Sequence, residues 1–190
     1  MIDLGPAADR TATVVTSVTD EQLGLPTPCP DMCVGDVIDH IGAFALGFIA
    51  VAEKDPPRTK PPAPADAAHL GDGWRPRIAA DLARLAEAWR DPQAWEGMTS
   101  AGGIELPGEV AGLVAIDELV AHGWDVAVAT GQTLGPSAED VAAALGFVEH
   151  FDAPRDGQLF GPVVPVADDA PPFDRLLGLT GRDPAWQPPA

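Results

Sequence analysis

Apolar residues recur every three to four positions through several long stretches of the chain, which is the spacing of helices with one buried face. This spacing predicts helices over residues 4–18, 34–53, about 73–90 and about 108–130. A fifth helix is predicted to begin after Ser137, whose hydroxyl is a good N-cap, with Asp140 placed to complete a capping box.

Prolines and glycines separate these segments. We expect a break at residues 26–30 (PTPCP), a Pro-rich linker over residues 55–66, and a short hairpin around Gly102 and Gly103. The tail, residues 155–190, is expected to be irregular apart from a short apolar segment at 173–179. Residues 1–190 therefore form one predicted all-α domain, an up-and-down four-helix bundle with extra short helices or a small hairpin.

Composition narrows the range of partners. Of 190 residues 46% are hydrophobic, and 29 acidic against 11 basic residues give a formal charge of −18. Such a chain repels phosphate backbones and anionic membrane surfaces, so we expect neither nucleic acid nor membrane as a partner. The N-terminus lacks the basic region of a secretory signal, and no run of about 18 apolar residues exists. We expect a cytoplasmic monomer or homodimer that binds a small molecule.

Three polar side chains fall on apolar helix faces. Glu118 and His122 lie one helical turn apart, and His40 lies in the middle of the apolar second helix. Two imidazoles and a carboxylate would form a three-ligand site for a divalent metal, for which zinc is the first choice and nickel or iron(II) are alternatives. The alternative interpretation is a solvated Glu–His pair and a core histidine.

Two aspartates are candidates for positioning these ligands. Asp36 lies one turn before His40 and is expected to hydrogen-bond its second ring nitrogen, fixing the tautomer. Asp125 lies on the same face as His122, where it would either orient the metal ligands or act as a structural acid of the helix face.

The remaining candidate residues favour structural roles. Cys29 and Cys33 are too few for a four-cysteine zinc site, although Cys33, near a helix N-terminus, could have a lowered pKa. His69 and His150 are expected to be solvated.

Three segments together resemble a known family. TPCPDMCVGDVIDHIGAF (residues 27–44), ELVAHGWDVAVATGQ (118–132) and GLTGRDPAW (178–186) are similar to signatures of the DinB-like superfamily. The resemblance is to the branch related to the N-terminal domain of mycothiol-dependent maleylpyruvate isomerase. It implies a four-helix bundle with an inward-facing metal site whose ligands are His40, Glu118 and His122.

The resemblance also implies a chemistry. The family includes thiol-dependent isomerases and transferases, in which a metal activates a thiol cofactor such as mycothiol. We therefore expect a metal-dependent, thiol-linked enzyme acting on a small electrophile, or a non-catalytic metal or small-ligand binding protein. The chain departs from the family pattern at Met32, Gly35 and Val128, and we expect no full copy of the isomerase's C-terminal domain in 190 residues. The resemblance therefore supports an isomerase activity for this chain less directly than it supports the fold and the metal site.

Overall fold

The structure is a computed structural model that describes residues 1–55, 64–150 and 160–189. Its helices are α1 (Gly5–Thr16), α2 (Val34–Ala52), α3 (Trp74–Ala88), α4 (Pro92–Trp95), α5 (Gly108–Ala129), α6 (Ala138–Glu149) and α7 (Pro172–Leu179). Short 3-10 helices cover Asp20–Gln22 and Ala67–His69. The predicted all-α class is confirmed, and the long helices begin and end within two residues of the expected positions.

Four long helices form the bundle. α1 and α2 each pack against both α3 and α5, so the order around the bundle is α1, α3, α2, α5. α1 and α2 consequently lie diagonally across the bundle, because the connection between them, residues 17–33, is long enough to cross it. α6 packs on α5, and α7 packs on α6.

The hairpin predicted around Gly102 and Gly103 is present. Strands β1 (Met98–Ala101) and β2 (Ile104–Pro107) pair antiparallel, with Ala101 opposite Ile104. Both glycines have positive φ, 57° and 85°, as the two-residue turn of such a hairpin requires. The Thr99 hydroxyl donates to the carbonyl of Val51, which attaches the hairpin to the C-terminal end of α2.

The α2 helix is the most apolar element of the bundle. Its mean hydropathy reaches 1.6 over 18 residues, so by length and composition alone it would also qualify as a membrane span. More than half of that window, 56%, is buried inside the protein. Its fully buried positions include Val37, Ile38, Ile41 and Ala45, which line the core of the bundle.

α1 and α5 approach closely beside the candidate site. The Thr11 hydroxyl, which is fully buried, donates to the carbonyl of Leu119 at 3.0 Å. A Cβ at Gly123 would lie only 2.9 Å from Thr11 Oγ1 and 2.9 Å from a methyl group of Leu134. The glycine following His122 therefore permits the contact that fixes this turn of α5.

Two segments differ from expectation. α4 is a short helix between the third predicted helix and the predicted hairpin, where no helix was predicted; Asp91 caps it by accepting from the Gln93 amide. The tail predicted to be irregular contains α7, because residues 172–179 bury Leu176 and Leu177. Most of the predicted linker 55–66 and residues 155–159 lie outside the described residues.

Candidate metal centre

Side chains from α2 and α5 meet inside the bundle. Nε2 of His40 lies 2.9 Å from Oε2 of Glu118, and Nε2 of His122 lies 3.4 Å from the same oxygen. The two imidazole rings meet edge to face, with centroids 4.6 Å apart. The structure thus brings together the three residues that the sequence singles out, although they are up to 82 positions apart in the chain.

The three side chains of this cluster differ in their exposure to solvent. The His40 side chain is 36% exposed, that of Glu118 26% and that of His122 only 12%. Solvent therefore reaches the cluster most readily at His40.

The pKa values reflect the pairing. Burial by itself would raise the pKa of Glu118, but the hydrogen bond with His40 and the charges of His122, His40 and Arg182 lower it to about 2. Burial opposes the charged form of His40, yet the hydrogen bond and charge of Glu118 outweigh it and raise the pKa of His40. Glu118 is thus a carboxylate at neutral pH and a competent ligand for a cation.

His122 is held from its other side by Asp125. Nδ1 of His122 lies 3.0 Å from Oδ2 of Asp125, whose side chain is fully buried. A carboxylate accepts but cannot donate, so the Nδ1 atom carries the proton in this pair. Nε2 is then the ring nitrogen that faces Glu118 and that would supply the lone pair to a metal. Asp125 thus has the geometry expected of a residue that orients His122, and its burial and its pair with Arg182 also fit the alternative role of a structural acid.

Arg182 completes this arrangement from the C-terminal segment. Its Nη2 donates to Asp125 Oδ2 at 2.9 Å and lies 3.5 Å from His122 Nδ1, while Nη1 donates to the Thr180 carbonyl. Burial would raise the pKa of Asp125, but the charge of Arg182 outweighs it and lowers that pKa. Against the effect of its own burial, Asp125 raises the pKa of Arg182.

Arg182 is the residue of this site that the sequence prediction missed. It lies 57 positions after Asp125, in a tail expected to be irregular, so helical spacing could not connect the two. The only signal was the GRDPAW segment, residues 181–186, which carried part of the family resemblance.

The expected role of Asp36 is wrong. Its Oδ2 accepts from the Cys33 amide at 2.9 Å and its Oδ1 from the Ala67 amide at 2.8 Å. Both oxygens are engaged with backbone groups because Asp36 is the third residue of α2, where it caps the helix start. Asp36 therefore fixes α2, and the 3-10 helix that packs on it, without orienting His40.

Both cysteines have raised pKa values. Burial, followed by a hydrogen bond to Asp36, raises the pKa of Cys33, contrary to the lowered value expected at a helix N-terminus. Burial, followed by the charge of Asp125, raises the pKa of Cys29 to about 11. Both thiols are accordingly protonated at neutral pH.

Cys29 nevertheless belongs to a second group of donor atoms. Atoms of Cys29, His122 and Asp125 lie within 4.8 Å of one another, as do those of His40, Glu118 and His122. In the group that contains Cys29, the thiol is protonated and Asp125 is paired with Arg182. The group containing His40 is the better set of donors, because its ligand atoms face one another without a competing cation.

The other two histidines have the solvated roles predicted for them. His69 pairs with Asp39 at 3.1 Å with half of its side chain exposed. His150 contacts the Gly146 carbonyl at the exposed end of α6.

The distances between the donor atoms of His40, Glu118 and His122 suit a small divalent metal. Ligands at about 2.0–2.1 Å in a tetrahedral arrangement lie about 3.4 Å apart. The observed separations from Glu118 Oε2, 2.9 Å to His40 Nε2 and 3.4 Å to His122 Nε2, are close to that value.

Comparison with known proteins assigns the chain to a family. Residues 4–127 match the mycothiol maleylpyruvate isomerase N-terminal domain. Two uncharacterized proteins of Mycobacterium tuberculosis, from strains CDC 1551 and H37Rv, are each 34% identical over 192 aligned residues, covering 93% of both chains. No solved structure gives a significant match. The chain belongs to the mycothiol maleylpyruvate isomerase N-terminal domain family, and the suspected DinB-like resemblance is confirmed.

We expect Arg182→Met to lower the free energy of unfolding by about 3 kcal/mol, because it leaves the buried Asp125 carboxylate without its cationic partner. The control is Arg90→Met, which removes an arginine whose side chain is 58% exposed from a pair with Glu87, whose side chain is 72% exposed; its expected cost is below about 0.5 kcal/mol. Urea unfolding of both variants measures the difference. Equal losses would contradict a structural role for the Arg182–Asp125 pair.

Proposed function

We propose that His40, Glu118 and His122 bind one divalent metal, with zinc as the first candidate and nickel or iron(II) as alternatives. The observation that carries the proposal is the convergence of two imidazole Nε2 atoms on one oxygen of Glu118. Polar groups on a bundle face are costly to bury unless they share a partner, and a metal would satisfy all three. Asp125 and Arg182 would hold His122 in the ligating tautomer.

The proposed activity is thiol-dependent. A bound divalent metal supplies Lewis acidity, which lowers the pKa of a coordinated thiol and favours its nucleophilic thiolate. The family's name refers to mycothiol, so mycothiol is the first candidate cofactor. The chain's own thiols are poor substitutes, because the pKa of Cys29 is raised to about 11.

The proposed reaction is a transfer to, or an isomerisation of, a small electrophile. The alternative function is non-catalytic binding of a metal or small ligand, as in a sensor or carrier. The excess of acidic residues supports a partner that is neither nucleic acid nor an anionic membrane. We propose a cytoplasmic location, and a monomer or homodimer as the assembly.

We expect untagged protein to contain about one divalent metal per chain and His122→Ala to contain almost none. Elemental mass spectrometry measures the content and identifies the ion. His150→Ala is the matched control, because it removes an exposed histidine that belongs to neither group of donor atoms and should leave the metal content unchanged. Wild-type protein that neither contains nor takes up zinc, nickel or iron would contradict the metal proposal.

We expect mycothiol to change the visible spectrum of the cobalt(II)-substituted protein and to raise its thermal midpoint, because a thiolate ligand would enter an open coordination position. S-methylated mycothiol, which cannot form a thiolate, is the control and should do neither. An unchanged spectrum and midpoint with mycothiol would refute the thiol-dependent activity and leave the binding function.

A further inference from the structure

A row of rings extends along α2 from the candidate metal centre. His40, Phe44 and Phe48 follow one another at four-residue spacing and therefore lie on one helix face. The His40 and Phe44 rings are stacked with centroids 6.5 Å apart and planes inclined by 28°. Phe44 and Phe48 are closer, with centroids 4.4 Å apart.

The two phenylalanines are only half-buried. The residues that follow each ring by one position, Ala45 and Ile49, point into the core, whereas Phe44 and Phe48 pack against its edge. Partial exposure of two adjoining aromatic rings leaves apolar area in contact with water, which a partner would remove. The exposed area begins beside His40, the most exposed of the three proposed metal ligands.

Position and chemistry together indicate what this surface binds. One helical turn rises about 5.4 Å, so Phe44 lies roughly one turn from the atoms proposed to hold the metal. A flat apolar group stacked on Phe44 would thus be joined directly, or through one or two atoms, to a donor atom at the metal. A large protein surface is a poorer fit, because the aromatic row is narrow and leads to a polar cluster.

We propose that Phe44 and Phe48 form a binding subsite for the aromatic ring, or a similarly flat apolar group, of a small molecule whose polar atom reaches the metal. The proposal rests on the metal binding of the proposed function and names the class of molecule that the site takes. Phe44 contacts the ring of this molecule, and Phe48 supports Phe44 from the neighbouring turn.

The test uses two probes with the same chelating group. Acetohydroxamate and benzohydroxamate differ in a methyl against a phenyl group, and titration calorimetry with zinc-loaded protein gives both dissociation constants. We expect benzohydroxamate to bind about tenfold more tightly, as a stacked aromatic pair permits. The measured quantity is the ratio of the two dissociation constants. A change that weakens the binding of the shared hydroxamate group to the metal affects both constants equally and leaves the ratio unchanged.

The variants are Phe44→Ala and, to preserve apolar volume if the first fails to fold, Phe44→Leu. Both should reduce the ratio while the metal content stays at the wild-type level. Leu46→Ala is the control, because Leu46 is an apolar residue of the same helix, 45% exposed and outside the row of rings. It should preserve the wild-type ratio.

Three results would overturn the proposal. The wild type could bind the two hydroxamates equally tightly, both Phe44 variants could keep the wild-type ratio of dissociation constants, or Leu46→Ala could reduce that ratio as much as the Phe44 variants do. A wild-type dimer that dissociates on Phe44→Ala with its ratio unchanged would likewise overturn it and assign the surface to a second copy of the chain. Wild-type protein that fails to take up zinc would instead contradict the proposed function.

Discussion

The interior of this bundle has to accommodate a carboxylate between two imidazoles. Glu118 lies at the contact of α2 with α5, where both histidines turn a ring nitrogen towards one of its oxygens. A partly buried charge is stabilised when it is paired and hydrogen-bonded, so the cluster favours the observed contact between α2 and α5. The apolar core packs the bundle as a whole.

A continuous chain of polar contacts extends from this cluster into the core. Asp125 connects His122 to Arg182, and Arg182 also donates to the carbonyl of Thr180 at the end of α7. The C-terminal segment is therefore joined to the α5 face that carries the site. Because Asp125 is fully buried and Arg182 nearly so, these bonds lie away from competing water, where each is stronger and its loss more costly.

Local pattern was sufficient to predict much of this structure. Four-residue spacing located α2 and α5 and placed Glu118 and His122 on one face, and paired glycines located the hairpin. The place of His40 in the middle of an apolar helix suggested it as the third ligand, and the family resemblance supported that choice. Asp36 was expected beside His40 by helical spacing, but one of its oxygens accepts from the Cys33 amide as a local helix cap and the other accepts from the distant Ala67 amide. Arg182 reaches Asp125 only through tertiary folding, which no local pattern encodes.

The most direct test of the central claim is X-ray absorption spectroscopy of the zinc-loaded protein, since it identifies the atoms that bind the ion. Ligation by His40, Glu118 and His122 predicts nitrogen and oxygen neighbours at about 2.0–2.1 Å and outer scattering from two imidazoles. A sulfur neighbour at about 2.3 Å would contradict this assignment and place the ion in the neighbouring group with Cys29. Scattering without imidazole would refute both sites.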